Sequence, residues 1–124
     1  MRIPNLPDNV KVHSNVWSTI KQITILDSRK AGRILQRIAA LGSDPLPDAE
    51  ECNSGIVQNL RKKKVFVHRL KCVDTADYRI FYALKKSGMV CVYCVVPRND
   101  DTYNKNSWHY KMIKLLYTQW MQCR

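Results

Sequence analysis

The hydrophobic positions in the first third of the chain recur at helical spacing. Ser14 is the predicted N-cap of a helix over residues 15–24. A second helix is predicted to begin at Asp27 or Ser28 and to end at Leu41, because its apolar residues form one continuous stripe. That stripe consists of Ala31, Ile34, Leu35, Ile38 and Leu41. Two helices joined by so tight a turn form a helical hairpin.

Beyond the helices the spacing becomes that of strands. Residues 43–55 carry prolines, acidic residues and an Asn-Ser-Gly sequence, which together predict a loop. Segments rich in Val, Tyr, Phe and Ile follow at residues 65–73, 77–85 and 89–96. The third segment is apolar on both faces, which indicates the centre of a sheet, and a hairpin turn is predicted before it at residues 85–88. A short extended segment at residues 9–13 precedes the helices.

The order of predicted elements is β-αα-βββ-α, and the last helix is predicted to begin at Asn104 or Asn106. We therefore expect an α+β fold in which the N-terminal helical hairpin packs on one face of a small, curved antiparallel sheet. A chain of 124 residues has the size of one domain, so residues 1–124 are expected to fold as a single unit.

The charge of the chain narrows the classes of partner. Lysine and arginine total 21 against 10 acidic residues, which gives a net charge of +11 and an isoelectric point near 9.7. Such a surface attracts polyanions, of which nucleic acid is the commonest. No apolar run approaches the roughly 18 residues that cross a bilayer, and the first ten residues do not resemble a signal peptide. We expect a cytoplasmic protein with no membrane partner; a basic protein without a nucleic-acid partner is the alternative.

The five cysteines are odd in number and follow no signal peptide, so a disulfide framework is not expected. Cys91 and Cys94 lie three residues apart inside a predicted strand, where side chains at that spacing point to opposite faces. They are therefore not expected to share a metal ion. Buried, free thiols are the predicted state of the cysteines.

The residues with candidate chemistry are basic and aromatic, because the chain contains no phosphate-binding glycine loop and no metalloprotease or hydrolase motif. A cationic run precedes the first strand of the second half and consists of Arg61, Lys62, Lys63 and Lys64. The strands and their ends carry Arg69, Lys71, Arg79 and Arg98, with Tyr103 beyond them. Alternation in three antiparallel strands is expected to bring the four cations together on the face that the helical hairpin leaves open. Ordinary solvated strand residues have the same alternation, so both interpretations remain open.

Two segments resemble a known family. Asp-Tyr-Arg-Ile-Phe-Tyr at residues 77–82 and Val-Pro-Arg at residues 96–98, after the Arg-Leu-Lys at residues 69–71, are similar to the RelE/ParE superfamily of bacterial and archaeal toxins. The resemblance implies a RelE-like fold and the toxin of a toxin–antitoxin pair. It implies an endoribonuclease that cleaves mRNA in the ribosomal A site without a metal or any other cofactor. The implied partners are mRNA, the ribosome and a cognate antitoxin protein.

The resemblance also implies roles for individual residues. It makes Lys71, Arg79, Arg98 and Tyr103 catalytic, with His109 as a second-rank catalytic candidate. Arg69 and the run of Arg61, Lys62, Lys63 and Lys64 are expected to bind RNA. The implied reaction is attack of a ribose 2′-hydroxyl on its adjacent phosphate. Arg69 stands where the family has lysine, and a guanidinium does not accept a proton at neutral pH.

Two further functions fit the same resemblance. A ParE-like member would poison DNA gyrase by protein contact, although such members usually lack the basic catalytic set. A catalytically inactive member would only bind RNA or an antitoxin, and the arginine at position 69 is compatible with this. Cleavage of mRNA on translating ribosomes, altered supercoiling, or neither would separate the three functions.

Overall fold

A computed structural model describes residues 6–98 and 108–122 of the chain. Its helices are α1 (Ser14–Leu26), α2 (Ser28–Ala40), α3 (Gln58–Arg61) and α4 (Trp108–Gln122). Its strands are β1 (Val10–Val12), β2 (Cys52–Ile56), β3 (His68–Cys72), β4 (Tyr78–Leu84) and β5 (Val90–Pro97). A 3-10 turn at Val73–Thr75 joins β3 to β4. The fold is therefore α+β, as the sequence pattern predicts.

The strands form one sheet in the order β1-β5-β4-β3-β2. The pairs among β2, β3, β4 and β5 are antiparallel, but β1 runs parallel to β5. The prediction of a purely antiparallel sheet is therefore wrong at this edge. The reason is that β1 has no neighbour in sequence with which to form a hairpin, and the helical hairpin carries the chain away from it. The free edge of β5 accepts it instead, through a bond of 3.0 Å from His13 N to Val92 O.

The predicted loop at residues 43–55 contains a strand that the sequence pattern does not predict. β2 occupies Cys52–Ile56 and pairs along its whole length with β3. Asn, Ser and Gly are poor strand formers, and pairing with β3 overrides that local preference. The predicted strand at residues 65–73 is correspondingly shorter, because α3 and a turn precede it and Lys64 there has a left-handed φ of 62°.

The helical hairpin forms where the apolar stripe predicts it, with one change at its first cap. Helix α1 begins at Ser14, and the residue that caps it is His13, whose Nδ1 accepts a bond of 3.2 Å from Asn15 N. Asp27 caps α2 and accepts a bond of 3.1 Å from Lys30 N, which confirms that boundary. No helix in residues 6–98 or 108–122 has both the length and the apolar character needed to cross a membrane.

Each face of the sheet has its own hydrophobic cluster. The hairpin face packs against α1 and α2, and its sheet residues include Leu70, Ile80, Tyr82 and Val92. The opposite face, here called the α4 face, packs against α4 through residues such as Phe81. Leu70, Ile80 and Phe81 follow the strand alternation that period-two patterning requires.

An irregularity in the β4–β5 hairpin changes this alternation. The turn that joins the strands lies at the predicted position, and Gly88 N donates a bond of 2.9 Å to Lys85 O. Farther along, Phe81 pairs with Cys94 while Tyr82 pairs with Val92, so β5 contains a bulge. Both Cys91 and Cys94 therefore belong to the α4-face cluster. The prediction that they point to opposite faces is wrong, because the bulge adds one residue between them.

The expectation of free cysteines is wrong for one pair. Cys52 and Cys72 are cross-strand partners in the β2–β3 register and form a disulfide. Both are buried in the hairpin-face cluster. The pair could not be foreseen, because it depends on a strand that lies inside the predicted loop. Cys91 and Cys94 are free and buried, as predicted, and burial raises the pKa of both thiols.

Candidate nucleic-acid interface

The register of β3, β4 and β5 determines which face the candidate cations share. Arg69 pairs with Phe81, and Arg79 pairs with Val96. Phe81 and Val96 both belong to the α4-face cluster. Arg69 and Arg79 therefore lie on the α4 face, away from the helical hairpin.

The other two strand cations lie at the rim of the same face. Lys71 is two residues beyond Arg69 on β3, pairs with Asn53 and is exposed. Arg98 is two residues beyond Val96, and its backbone N donates a bond of 2.8 Å to Asp77 O, which extends the β4–β5 ladder by one pair. Its side chain is exposed. The register thus brings four cations to one face: Arg79 is buried, Arg69 is half-buried, and the other two are exposed.

Arg79 is buried, with 4% of its surface exposed, although the sequence pattern suggested a residue on an open face. Its Nη1 donates to two backbone carbonyls, Ala76 O at 2.7 Å and Tyr78 O at 3.0 Å. Its Nε is buried and has no hydrogen-bond partner in the described part of the chain. Neither ion pair found among those residues includes Arg79. A buried guanidinium without a carboxylate leaves positive charge and donor capacity for an anion.

Arg69 crosses the neighbouring strand at a glycine. A methyl group added at Gly55 would lie 3.1 Å from Nη2 of Arg69 and 3.3 Å from its Cζ. Glycine at this position therefore lets the guanidinium lie close over the β2 backbone. Nη1 of Arg69 is buried, and no partner for it lies in the described residues. No local signal in the sequence indicates this role of Gly55, which only the register of β2 against β3 reveals.

The two acids of the β3–β4 connection are directed to the helical hairpin. Asp77 accepts a bond of 2.6 Å from Nζ of Lys30, and Asp74 accepts one of 3.1 Å from Nε of Arg37. Both partners belong to α2. These exposed ion pairs add little stability. Their consequence is electrostatic, because they hold two carboxylates at the hairpin side of the β3–β4 connection.

The cationic run is exposed throughout and lies at the end of α3 and in the turn after it. Its anchor is Leu60, which is buried in the α4-face cluster. Lys62 and Lys63 line a cavity together with Lys114 of α4. The approach of Lys114 to the run has no signal in the local sequence.

The structure describes the remaining candidate catalytic residues only in part. Tyr103 lies outside the described residues. His109 lies on α4, and only its backbone is described. Of the other histidines, His68 lies with its ring 5.5 Å from that of Tyr82 on the hairpin face, and burial lowers its pKa. Burial also raises the pKa of Tyr82 to about 12, and its hydroxyl donates a bond of 2.7 Å to Pro45 O.

Comparison with known proteins gives no match to a protein-family model, a curated protein or a solved structure. The RelE/ParE resemblance therefore remains a prediction from the residues that carry it. Within the described ranges, no cluster of three or more His, Cys, Asp or Glu side chains could hold a metal ion.

Proposed function

We propose that this chain is the toxin of a toxin–antitoxin pair, an endoribonuclease with a RelE-like fold that cleaves mRNA at the ribosomal A site without a metal. The observation that carries the proposal is the pair of guanidinium groups on the α4 face. Arg69 and Arg79 each keep a buried N–H group without a partner among the described residues. Positioned N–H donors in a covered site are suited to the charge of a phosphodiester under attack.

The proposed reaction is an in-line displacement at phosphorus. The ribose 2′-oxygen forms a bond to the adjacent phosphorus, and the bond from phosphorus to the 5′-oxygen of the next nucleotide breaks. Lys71 in its neutral form, or Tyr103 as its phenolate, takes the proton of the 2′-hydroxyl, and a protonated group such as His109 returns one to the leaving oxygen. The products are a 2′,3′-cyclic phosphate and a free 5′-hydroxyl.

The arginines have different roles in the proposed reaction. Arg79 and Arg98 hold the negative charge that builds on the phosphate oxygens during the attack. Arg69 binds the RNA backbone and takes no proton, because a guanidinium stays charged at neutral pH. The ribosome contributes by holding the mRNA in the geometry that the attack requires.

A cognate antitoxin is the expected protein partner. The α4 face and the cationic run of residues 61–64 make this side of the molecule strongly basic. An acidic or amphipathic antitoxin segment laid across it would neutralise the charge and block access of RNA. The proposed toxin meets its mRNA target in the cytoplasm.

The test is primer extension on a reporter mRNA after brief induction of the chain. We expect discrete cuts within the translated region for the unmodified protein and none for Lys71→Ala/Arg98→Ala. Both of these residues are exposed, so the fold should survive, and a thermal melt checks this. The matched control is Arg29→Ala/Arg33→Ala, which removes the same charge from exposed positions of α2 and should still cut.

The same induction distinguishes the other two functions. Growth arrest without cuts but with altered plasmid supercoiling would contradict the nuclease and indicate a ParE-like gyrase poison. Binding of RNA or antitoxin without growth arrest or cuts would indicate an inactive binding module.

A further inference from the structure

A cavity of about 200 Å³ lies between the end of α3 and helix α4. It is lined by Asn59, Leu60, Lys62, Lys63, Tyr110 and Lys114. Leu60 and Tyr110 are buried and form an apolar base, whereas the lysines reach it from two separate elements. We call this cavity the lysine pocket.

The lysine pocket concentrates positive charge without an acid to balance it. None of its described lining residues is acidic. A side-chain hydrogen-bond contact with Lys63 lowers the pKa of Lys114, and burial and the charges of Lys63 and Lys111 lower it further. Ammonium groups that line one cavity repel each other, and an anion between them would remove the repulsion.

The donors available in the lysine pocket are side chains. The backbone N–H groups of Lys62 and Lys63 donate to Gln58 O at 3.2 Å and Leu60 O at 3.0 Å, so they are already used within the α3 turn. Lysine ammonium groups bind phosphate as compact point charges that tolerate several orientations. The size and chemistry of the pocket therefore suit a single phosphate group.

The lysine pocket adjoins the face that carries the strand arginines. The Tyr110 ring packs edge-on against Phe81, with their centroids 6.2 Å apart. Phe81 is in turn the cross-strand partner of Arg69. Both rings are buried, so they form no path for RNA, but their contact places the lysine pocket on the same side of the sheet as Arg69.

We propose that the lysine pocket binds a backbone phosphate of the RNA strand, away from the reacting phosphodiester, and thereby anchors the strand on the side of the molecule that carries α4. The assignment of this phosphate to RNA rests on the proposed function. A free phosphate ion or a small phosphorylated molecule has the same binding chemistry, and measurements with RNA and with inorganic phosphate separate these sources.

The first arm measures binding of a single-stranded RNA with 2′-O-methyl groups, which cannot undergo 2′-hydroxyl attack. For Lys63→Gln/Lys114→Gln we expect affinity to fall about tenfold near 0.1 M salt, and the slope of log affinity against log salt to decrease by about one. The matched control is Lys21→Gln/Lys86→Gln, which removes two charges from exposed positions outside the pocket and should change little beyond the general electrostatic effect. Circular dichroism checks that both variants fold.

The second arm measures the melting temperature in inorganic phosphate and in chloride at equal ionic strength. Unchanged RNA affinity, together with a phosphate-induced rise in melting temperature that Lys63→Gln/Lys114→Gln abolishes, would overturn the assignment to RNA and identify a small phosphate ligand. No change in either arm would overturn the pocket itself. Because binding is measured without cleavage, reduced RNA affinity supports the pocket even if the unmodified protein never cuts RNA.

Discussion

The two faces of the sheet differ in how completely their polar groups are balanced. On the hairpin face, Ile34 and Ile38 of α2 are fully buried, and both acids of the β3–β4 connection pair with α2 cations. On the α4 face, Arg69 and Arg79 each bury an N–H group that has no partner among the described residues. An unsatisfied buried donor costs about 1 to 3 kcal/mol. Both faces thus contribute a hydrophobic core, but the α4 face also carries unbalanced donors that an anionic ligand can satisfy.

The largest effect is expected from the hairpin face. Ile34→Ala should lower the free energy of unfolding by about 4 kcal/mol, because it leaves a cavity at a fully buried position. Urea denaturation measures the change. Gln36→Ala, at an exposed position of the same helix, should change it by less than about 0.5 kcal/mol. Equal losses from the two variants would contradict a core on this face.

The Cys52–Cys72 disulfide should contribute nearly as much to the free energy of unfolding. It joins residues with a sequence separation of 20, and closing such a loop in the unfolded chain is worth about 3 kcal/mol. Reduction of the unmodified protein should lower its unfolding free energy by that amount. Cys52→Ala/Cys72→Ala should start from the lower stability and not respond to the reductant. A response of the double variant would point to another pair of thiols.

On the α4 face, substitution of Arg79 should greatly reduce cleavage but change the free energy of unfolding only slightly. Methionine keeps the length of the side chain and removes a buried guanidinium without an observed carboxylate partner, so Arg79→Met should change stability by less than about 1 kcal/mol. Cleavage of mRNA should fall by at least about 100-fold, because the charge on the phosphate oxygens loses its partner. Arg33→Met on the exposed side of α2 is the control and should still cut. Full cleavage by Arg79→Met would remove Arg79 from the proposed reaction.

A smaller effect of the same kind is expected at Gly55. Gly55→Ala should displace the Arg69 guanidinium, which ends a flexible side chain, and weaken RNA binding about threefold. Its stability should stay within about 1 kcal/mol, since alanine also favours the strand over the unfolded chain. Gly32→Ala in α2, where nothing lies within 4 Å of the added methyl, should stabilise the protein by up to about 1 kcal/mol and leave RNA binding unchanged.

The smallest effect concerns pH. Burial lowers the pKa of His68 below its ordinary value of 6.5, so the unfolded chain binds a proton more readily than the folded one. Stability should therefore fall as the pH decreases from above 6.5 towards the folded-state pKa. Melting temperatures between pH 7.5 and 5.5 measure this, and His68→Gln should flatten the profile. A profile that is unchanged in His68→Gln would assign the pH dependence to other groups.

The sequence pattern predicts most of the structure on the hairpin face and less of the structure on the α4 face. The stripe from Ala31 to Leu41 specifies α2, and Asp27 caps it, because both signals are local. The local sequence does not predict β2, because its Asn-Ser-Gly sequence forms a strand only against β3. The disulfide depends on this pairing, so it is not predicted either. Alternation places Arg69 and Arg79 on one face, but it contains no information on burial. The cover over Arg79 and the approach of Lys114 to Lys63 depend on packing between distant segments.

The parallel pairing of β1 with β5 also has a consequence for synthesis of the chain. Residues 10–12 leave the ribosome early, but their partners at residues 90–92 emerge much later. Helix α1 also packs against β5, so the hairpin-face core stays incomplete until that strand has been made. Native pairings this distant in sequence form slowly. The folded form, which the proposed activity requires, is thus acquired only after β5 has been synthesised.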